Sequence, residues 1–90
     1  MTEEVNEIIR AGFIYPNPTS GIFSVNLTME ENNTIELSLY SVYGQLIWSD
    51  TQTIQGDRKL DYDIGTLAQG IYLLLVSNKH EKISYKIIKE

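Results

Sequence analysis

The stretch Gly70-Ile71-Tyr72-Leu73-Leu74-Leu75-Val76-Ser77 decides the fold. Its residues from Ile71 to Val76 are all apolar or aromatic, and none carries a charge. Successive side chains of a strand leave on opposite faces, so Ile71, Leu73 and Leu75 point one way and Tyr72, Leu74 and Val76 the other. Both sets are apolar, which predicts a central strand covered on both sides. Gly70 interrupts the backbone in front, and Ser77-Asn78 supplies the turn behind. A membrane-spanning helix needs about 20 apolar positions, so this short run reads as a core strand.

Toward the C-terminus, Asn78-Lys79-His80-Glu81-Lys82 is a charged hairpin loop, and Ile83 to Ile88 forms the last strand. Toward the N-terminus, Gly65 to Gln69 is a short bend with Leu67 as its plug into the core. Leu60, Tyr62 and Ile64 alternate with Asp61 and Asp63. Gly56-Asp57 predicts a turn, with a weaker strand around Ile54. Gln45 to Ser49 is a strand bearing Leu46, Ile47 and Trp48, entered through a tight Ser41-Val42-Tyr43-Gly44 connection with Gly44 in the left-handed position.

Before that connection the pattern alternates twice. Ile35, Leu37 and Leu39 face in from Thr34 to Tyr40, and Phe23, Val25 and Leu27 face in from Ile22 to Thr28. Met29-Glu30-Glu31-Asn32-Asn33 reads as a polar loop between the two strands. Pro16-Asn17-Pro18-Thr19-Ser20-Gly21 is a stiff bend that ends a first strand at Phe13-Ile14-Tyr15, because each proline fixes its own φ and extends the residue before it. Asn17, Thr19 and Ser20 are suited to hydrogen bonds with nearby backbone. Residues 1–12 read as a linker or tail, a short docked helix being the other reading. The expected architecture is all-β: an immunoglobulin-like β-sandwich of about seven antiparallel strands, with a small barrel as the alternative.

Ninety residues make one domain, and 42% hydrophobic content is enough for a core. The net charge of −5 argues against nucleic acid and against acidic membranes as partners. There is no cysteine, hence no disulfide framework or thiolate metal site. The acidic start Met-Thr-Glu-Glu-Val-Asn-Glu lacks the basic-then-apolar order of a secretory signal. Either the chain is cytosolic or it is a piece of a longer one.

Catalytic chemistry finds no footing. His80 lies in a charged turn without a placed nucleophile or orienting acid. Asp57, Asp61 and Asp63 suggest calcium, but the last two alternate with apolar residues as a solvated strand face does, and the spacing is not that of an EF-hand loop. Tyr40, Tyr43 and Trp48 suggest a sugar platform, against the plainer reading of Trp48 as core and the tyrosines as hairpin flanks. Asn26-Leu27-Thr28 and Asn32-Asn33-Thr34 match the N-glycosylation pattern, which is too common to decide anything. No catalytic, metal or cofactor residue is assigned.

Three pieces of the chain carry a resemblance. The first is Tyr15-Pro16-Asn17-Pro18-Thr19-Ser20-Gly21-Ile22-Phe23-Ser24-Val25. The second is Leu39-Tyr40-Ser41-Val42-Tyr43-Gly44-Gln45-Leu46-Ile47, with Tyr43 near a position that is often small or apolar. The third is Leu67-Ala68-Gln69-Gly70-Ile71-Tyr72-Leu73-Leu74-Leu75-Val76, followed by Lys86-Ile87-Ile88-Lys89. In this order and spacing, over residues 13–90, they resemble the C-terminal sorting domain of the type IX secretion system of gram-negative bacteria, the Por secretion system tail family.

The resemblance implies a non-catalytic address label. A cargo ahead of residue 13 crosses the inner membrane on its own signal, folds in the periplasm and is presented to the outer-membrane type IX translocon. A sortase-like peptidase then cuts near the start of the domain, and cargo is joined to anionic lipopolysaccharide at the cell surface or released. Lys86, Ile87, Ile88 and Lys89 match the terminal segment that the family needs for export. Pro16, Asn17, Pro18, Gly21, Gly44, Gly70 and Tyr72 match fold-defining positions. The physical expectation for the tail is an edge strand with unpaired backbone and two cations, open to strand addition by a receptor or, with another copy, to dimerisation. The plainer reading of the two lysines is edge protection. The rival function is an immunoglobulin-like surface module that binds glycan or protein through its loops.

Overall fold

The computed structural model describes residues 10–90. Five strands follow one another: β1 (Arg10–Tyr15), β2 (Ile22–Ser41), β3 (Leu46–Asp63), β4 (Gly70–Ser77) and β5 (Lys82–Lys89). All join one sheet through antiparallel pairs. β3 runs along one side of β2. On the other side of β2, β1 pairs with the first half, around Ser24 to Thr28, and β4 with the second, from Glu36 to Ser41. β5 lies outside β4. The chain is all-β, as its alternation predicts.

Five strands in a single curled sheet take the place of the expected sandwich of about seven. The difference lies in the two long strands. Met29 to Asn33 is no loop, and Gly56-Asp57 is no turn: β2 runs on for 20 residues and β3 for 18. The phase of burial explains why. Phe23, Val25, Leu27, Met29, Asn33, Ile35, Leu37 and Leu39 are all odd-numbered and all buried, so the two halves of β2 turn the same face inward. Between Met29 and Asn33, β2 advances four residues while β3 advances two, from Gly56 to Ile54. Those extra residues form a bulge, which bends and twists a strand without ending it. Gly56 has a φ of +77°, the left-handed conformation that glycine adopts at no steric cost.

The bend is required by length. A straight strand of this size would reach about 63 Å, whereas the longest dimension of the molecule is 49 Å. Curling brings both halves of the β2–β3 hairpin onto one core. Phe23, Val25, Leu27 and Met29 from one half meet Ile35, Leu37 and Leu39 from the other, with Ile54, Leu60, Ile64, Tyr72, Leu74, Val76 and Ile87. Burying each of the larger apolar side chains stabilises by about 1.5–3 kcal/mol. Leu67 packs against this cluster as expected.

β4 is central in its hydrogen bonding, between β2 and β5, but only one of its faces is covered. Tyr72, Leu74 and Val76 are buried, while Ile71 and Leu73 are 45% and 40% exposed. The apolar vocabulary of β4 thus serves two sides, and among the described residues no second layer covers the outer one. The expected linker overlaps the sheet: Arg10–Gly12 belong to β1, and residues 1–9 lie outside the described residues.

Candidate functional site

The four residues of the terminal segment alternate across β5. Ile87 pairs with Tyr72 on the core face and is fully buried, and Lys89 shares that face at 8% exposure, its Nζ donating to the Glu90 carbonyl at 2.8 Å. Lys86 and Ile88 lie on the outer face, opposite Leu73 and Ile71. Lys86 is exposed and Ile88 half-buried.

The open edge expected at this end is closed by the proline bend. Asn17 donates from Nδ2 to the Lys86 carbonyl at 2.7 Å and accepts the Ile88 N–H on Oδ1 at 2.9 Å. A side-chain amide thereby supplies the donor and acceptor that a neighbouring strand would offer. Two residues on, the Thr19 N–H donates to the Ile88 carbonyl and its own carbonyl accepts the Glu90 N–H, each at 2.8 Å. Thr19 is buried and makes a parallel bridge with Lys89. Its hydroxyl donates to the Ile22 carbonyl at 2.7 Å and accepts from the Gly21 N–H at 3.0 Å. Pro16 and Pro18, both preceded by cis bonds, stand exposed on either side of Asn17. The first connection of the chain and its last strand form one unit.

The remaining fold-defining positions belong to turns. Gly44 has a φ of +84° and donates to the Ser41 carbonyl at 3.0 Å, while the Ser41 hydroxyl accepts from the N–H groups of Tyr43 and Gln45. Gly21 lies against Gly65, where an added Cβ would sit 3.4 Å from the neighbouring Cα. Gly70 opens β4, and the Tyr72 hydroxyl donates to the Ala68 carbonyl at 2.6 Å, tying β4 to the bend before it.

The other constellations do not converge. Trp48 lies opposite Leu39 on the core face, whereas Tyr40 pairs with Leu46 on the outer face and Tyr43 is 94% exposed in the turn. The three aromatics therefore form no common platform. Trp48 instead stacks on Tyr62, with ring centroids 4.8 Å apart, and Phe23 lies 5.8 Å beyond. Asp57, Asp61 and Asp63 occupy the outer face of β3 with separate partners: the Thr28 hydroxyl, the Ser24 hydroxyl and the Gly65 N–H. The backbone N–H of His80 donates to Asn78 Oδ1 in the β4–β5 turn. Asp50, which the alternation did not single out, accepts from Gln52 and from the Tyr62 hydroxyl at 2.9 Å. Those two bonds, with the Thr51 backbone and against desolvation, hold its carboxyl below the ordinary range. Burial first, then the bond to Asp50 and its charge, push the Tyr62 phenol above its ordinary value.

The first turn of this curled all-β domain is bonded to its last strand, and the candidate residues for catalysis, metal and sugar stand apart among the described residues. The chain belongs to the secretion system C-terminal sorting domain family, whose model matches residues 13–90. It is a sorting signal of the type IX secretion system and not an enzyme. No curated protein and no solved structure matches it.

Proposed function

We propose that this domain is read as a folded unit by the outer-membrane type IX translocon while its cargo waits in the periplasm. Lys86 to Lys89 are needed for that reading, and the bonding of Lys86, Ile88 and Glu90 to Asn17 and Thr19 is the observation that supports it. A segment bonded in this way can present its outer residues, Lys86 and Ile88, in a fixed geometry. After passage, a sortase-like peptidase cuts upstream of the domain and the cargo is joined to lipopolysaccharide or released at the cell surface.

The test is a fusion of the 90-residue chain behind a periplasmic reporter, in a host that has this secretion system. The reporter is expected outside the cell with the domain removed. A reporter that folds in the periplasm and stays there counts against the reading.

A further inference from the structure

In β5, the backbone groups that point away from β4 belong to the even-numbered residues, as the bonds at Lys86, Ile88 and Glu90 define. Asn17 and Thr19 occupy that edge from the Lys86 carbonyl onward. The alternation leaves both groups of Lys82, both of Ser84 and the N–H of Lys86 facing outward. On the outer face beside this edge, rows of cross-strand neighbours run Lys86–Leu73–Tyr40–Leu46 and Ile88–Ile71. Ile71, Leu73 and Leu46 are 45%, 40% and 53% exposed, and Val42 nearby is 59% exposed. A groove of about 330 Å³ opens between the Ser41–Tyr43 turn and Gly70-Ile71.

The charges select the occupant. Lys82 and Lys86 are exposed, and the ion pair between Lys59 and Asp61 lies elsewhere, on β3. A second copy paired antiparallel over the stretch that the described residues leave open would be centred on Ser84. It would set Lys82 directly against the other copy's Lys86, which is unfavourable. The long outer edge of β3 is a poorer template, because it mixes Asp50, Asp57, Asp61 and Asp63 with Arg58 and Lys59 and is interrupted by the left-handed Gly56 opposite the β2 bulge.

We propose that the outer side of β5 and β4 is a docking surface for a partner protein that lays an acidic extended segment along Lys82–Lys86 and an apolar side chain into the groove beside Ile71. Backbone pairing supplies the contact, and carboxylates two strand repeats apart meet Lys82 and Lys86. That partner is a component of the export machinery, the one respect in which the surface rests on the sorting reading.

Two measurements test it. In the first, the labelled 90-residue chain is titrated with a synthetic Thr-Glu-Thr-Ser-Thr-Glu-Thr peptide and with its Lys-for-Glu counterpart, and backbone amides are followed by NMR. The acidic peptide is expected to shift Ser84 and Lys86 and to slow their exchange by roughly fivefold, and the basic one to leave them unchanged. Equal responses, no response, or a response confined to β3 overturns the surface. Shifts at Ser84 that depend on protein concentration alone assign the face to a second copy and overturn the acidic partner.

In the second, Ser84→Pro and the double variant Lys82→Glu with Lys86→Glu are placed in the secreted fusion. The proline removes an outward N–H and spares the pairing with β4. Both variants are expected to melt cooperatively as isolated chains and to lower export by roughly tenfold or more. Undiminished export of the folded variants overturns the surface. A wild-type fusion that remains inside the cell sinks the sorting reading instead, and the peptide titration then decides the surface alone.

Discussion

Asn17 is exposed, yet it holds two backbone groups of the strand that ends the chain. Replacing it with alanine removes both bonds and leaves the Lys86 carbonyl and Ile88 N–H to water. The expected loss is about 1–2 kcal/mol, read as a lower urea midpoint. Exchange at Ile88 should accelerate before exchange at Leu74. Asn17→Asp keeps the acceptor for Ile88 but turns an oxygen toward the Lys86 carbonyl, so it should lose more than half of the same stability. A variant as stable as the parent would show that the bracket contributes nothing. Asp50 and Tyr62 make a second residue-scale prediction. The Asp50 carboxyl is lowered from 3.8 in the fold, so its contribution is present above that pH and lost as pH falls below it. The Tyr62 phenol is raised from 10.0, so its contribution is present below that pH and lost as pH rises above it. Tyr62→Phe should flatten the alkaline loss in a series of urea melts across pH, and an unchanged slope would refute the assignment. At this scale little was legible. Asn17 and Thr19 were expected to bond nearby backbone, and Thr19 does so through its hydroxyl. Partners 69 and 71 positions away leave no periodic trace in a sequence.

At the scale of the strand, alternation located the buried face in both halves of β2 and at Leu60 and Ile64 toward the end of β3, because a period of two depends only on neighbouring residues. It misplaced the ends of β2 and β3 for a physical reason. Glu30-Glu31-Asn32 and Gly56-Asp57 have the composition of turns, and a bulge uses the same residue types to bend a strand without breaking the ladder. The odd-numbered phase shared by the runs Phe23 to Met29 and Ile35 to Leu39 was the signal that could have told the two apart. Coverage of β4 was overread for a related reason, since an apolar face can be made for a partner as well as for a core. Gly56 provides the test. Valine at a φ of +77° is strained whatever space is available, and nothing lies within 4 Å of the added Cβ. Gly56→Val should therefore cost about 1–3 kcal/mol through backbone strain alone. Gly56→Asn, which tolerates this conformation, should recover much of that loss. Equal stability of the three proteins would mean that the bulge relaxes freely and is not what curls the hairpin.

For the molecule as a whole, the terminal segment has two roles that deletion cannot separate. Ile87 is fully buried among Tyr72 and its neighbours, and Ile88 and Glu90 are bonded to the first turn. Removing Lys86 to Glu90 strips a core side chain and the partners of Asn17 and Thr19 in one step. A domain of this length has roughly 5–13 kcal/mol of stability in all, and losing the Ile87 side chain alone should cost about 2–5 kcal/mol. Export lost on truncation would therefore report unfolding as readily as a missing recognition sequence. Point variants divide the roles. Ile87→Ala should lower the melting temperature strongly, and export should fall only as far as the folded fraction does. Lys86→Ala, on the exposed outer face, should change stability by less than about 0.5 kcal/mol and still reduce export. Measuring the melt of each isolated chain beside the secreted fraction of each fusion places both variants on one plot. Points for both on a single curve of export against stability would mean that the machinery senses only whether the domain is folded. A Lys86→Ala point well below that curve would mean that it touches the outer face of the last strand.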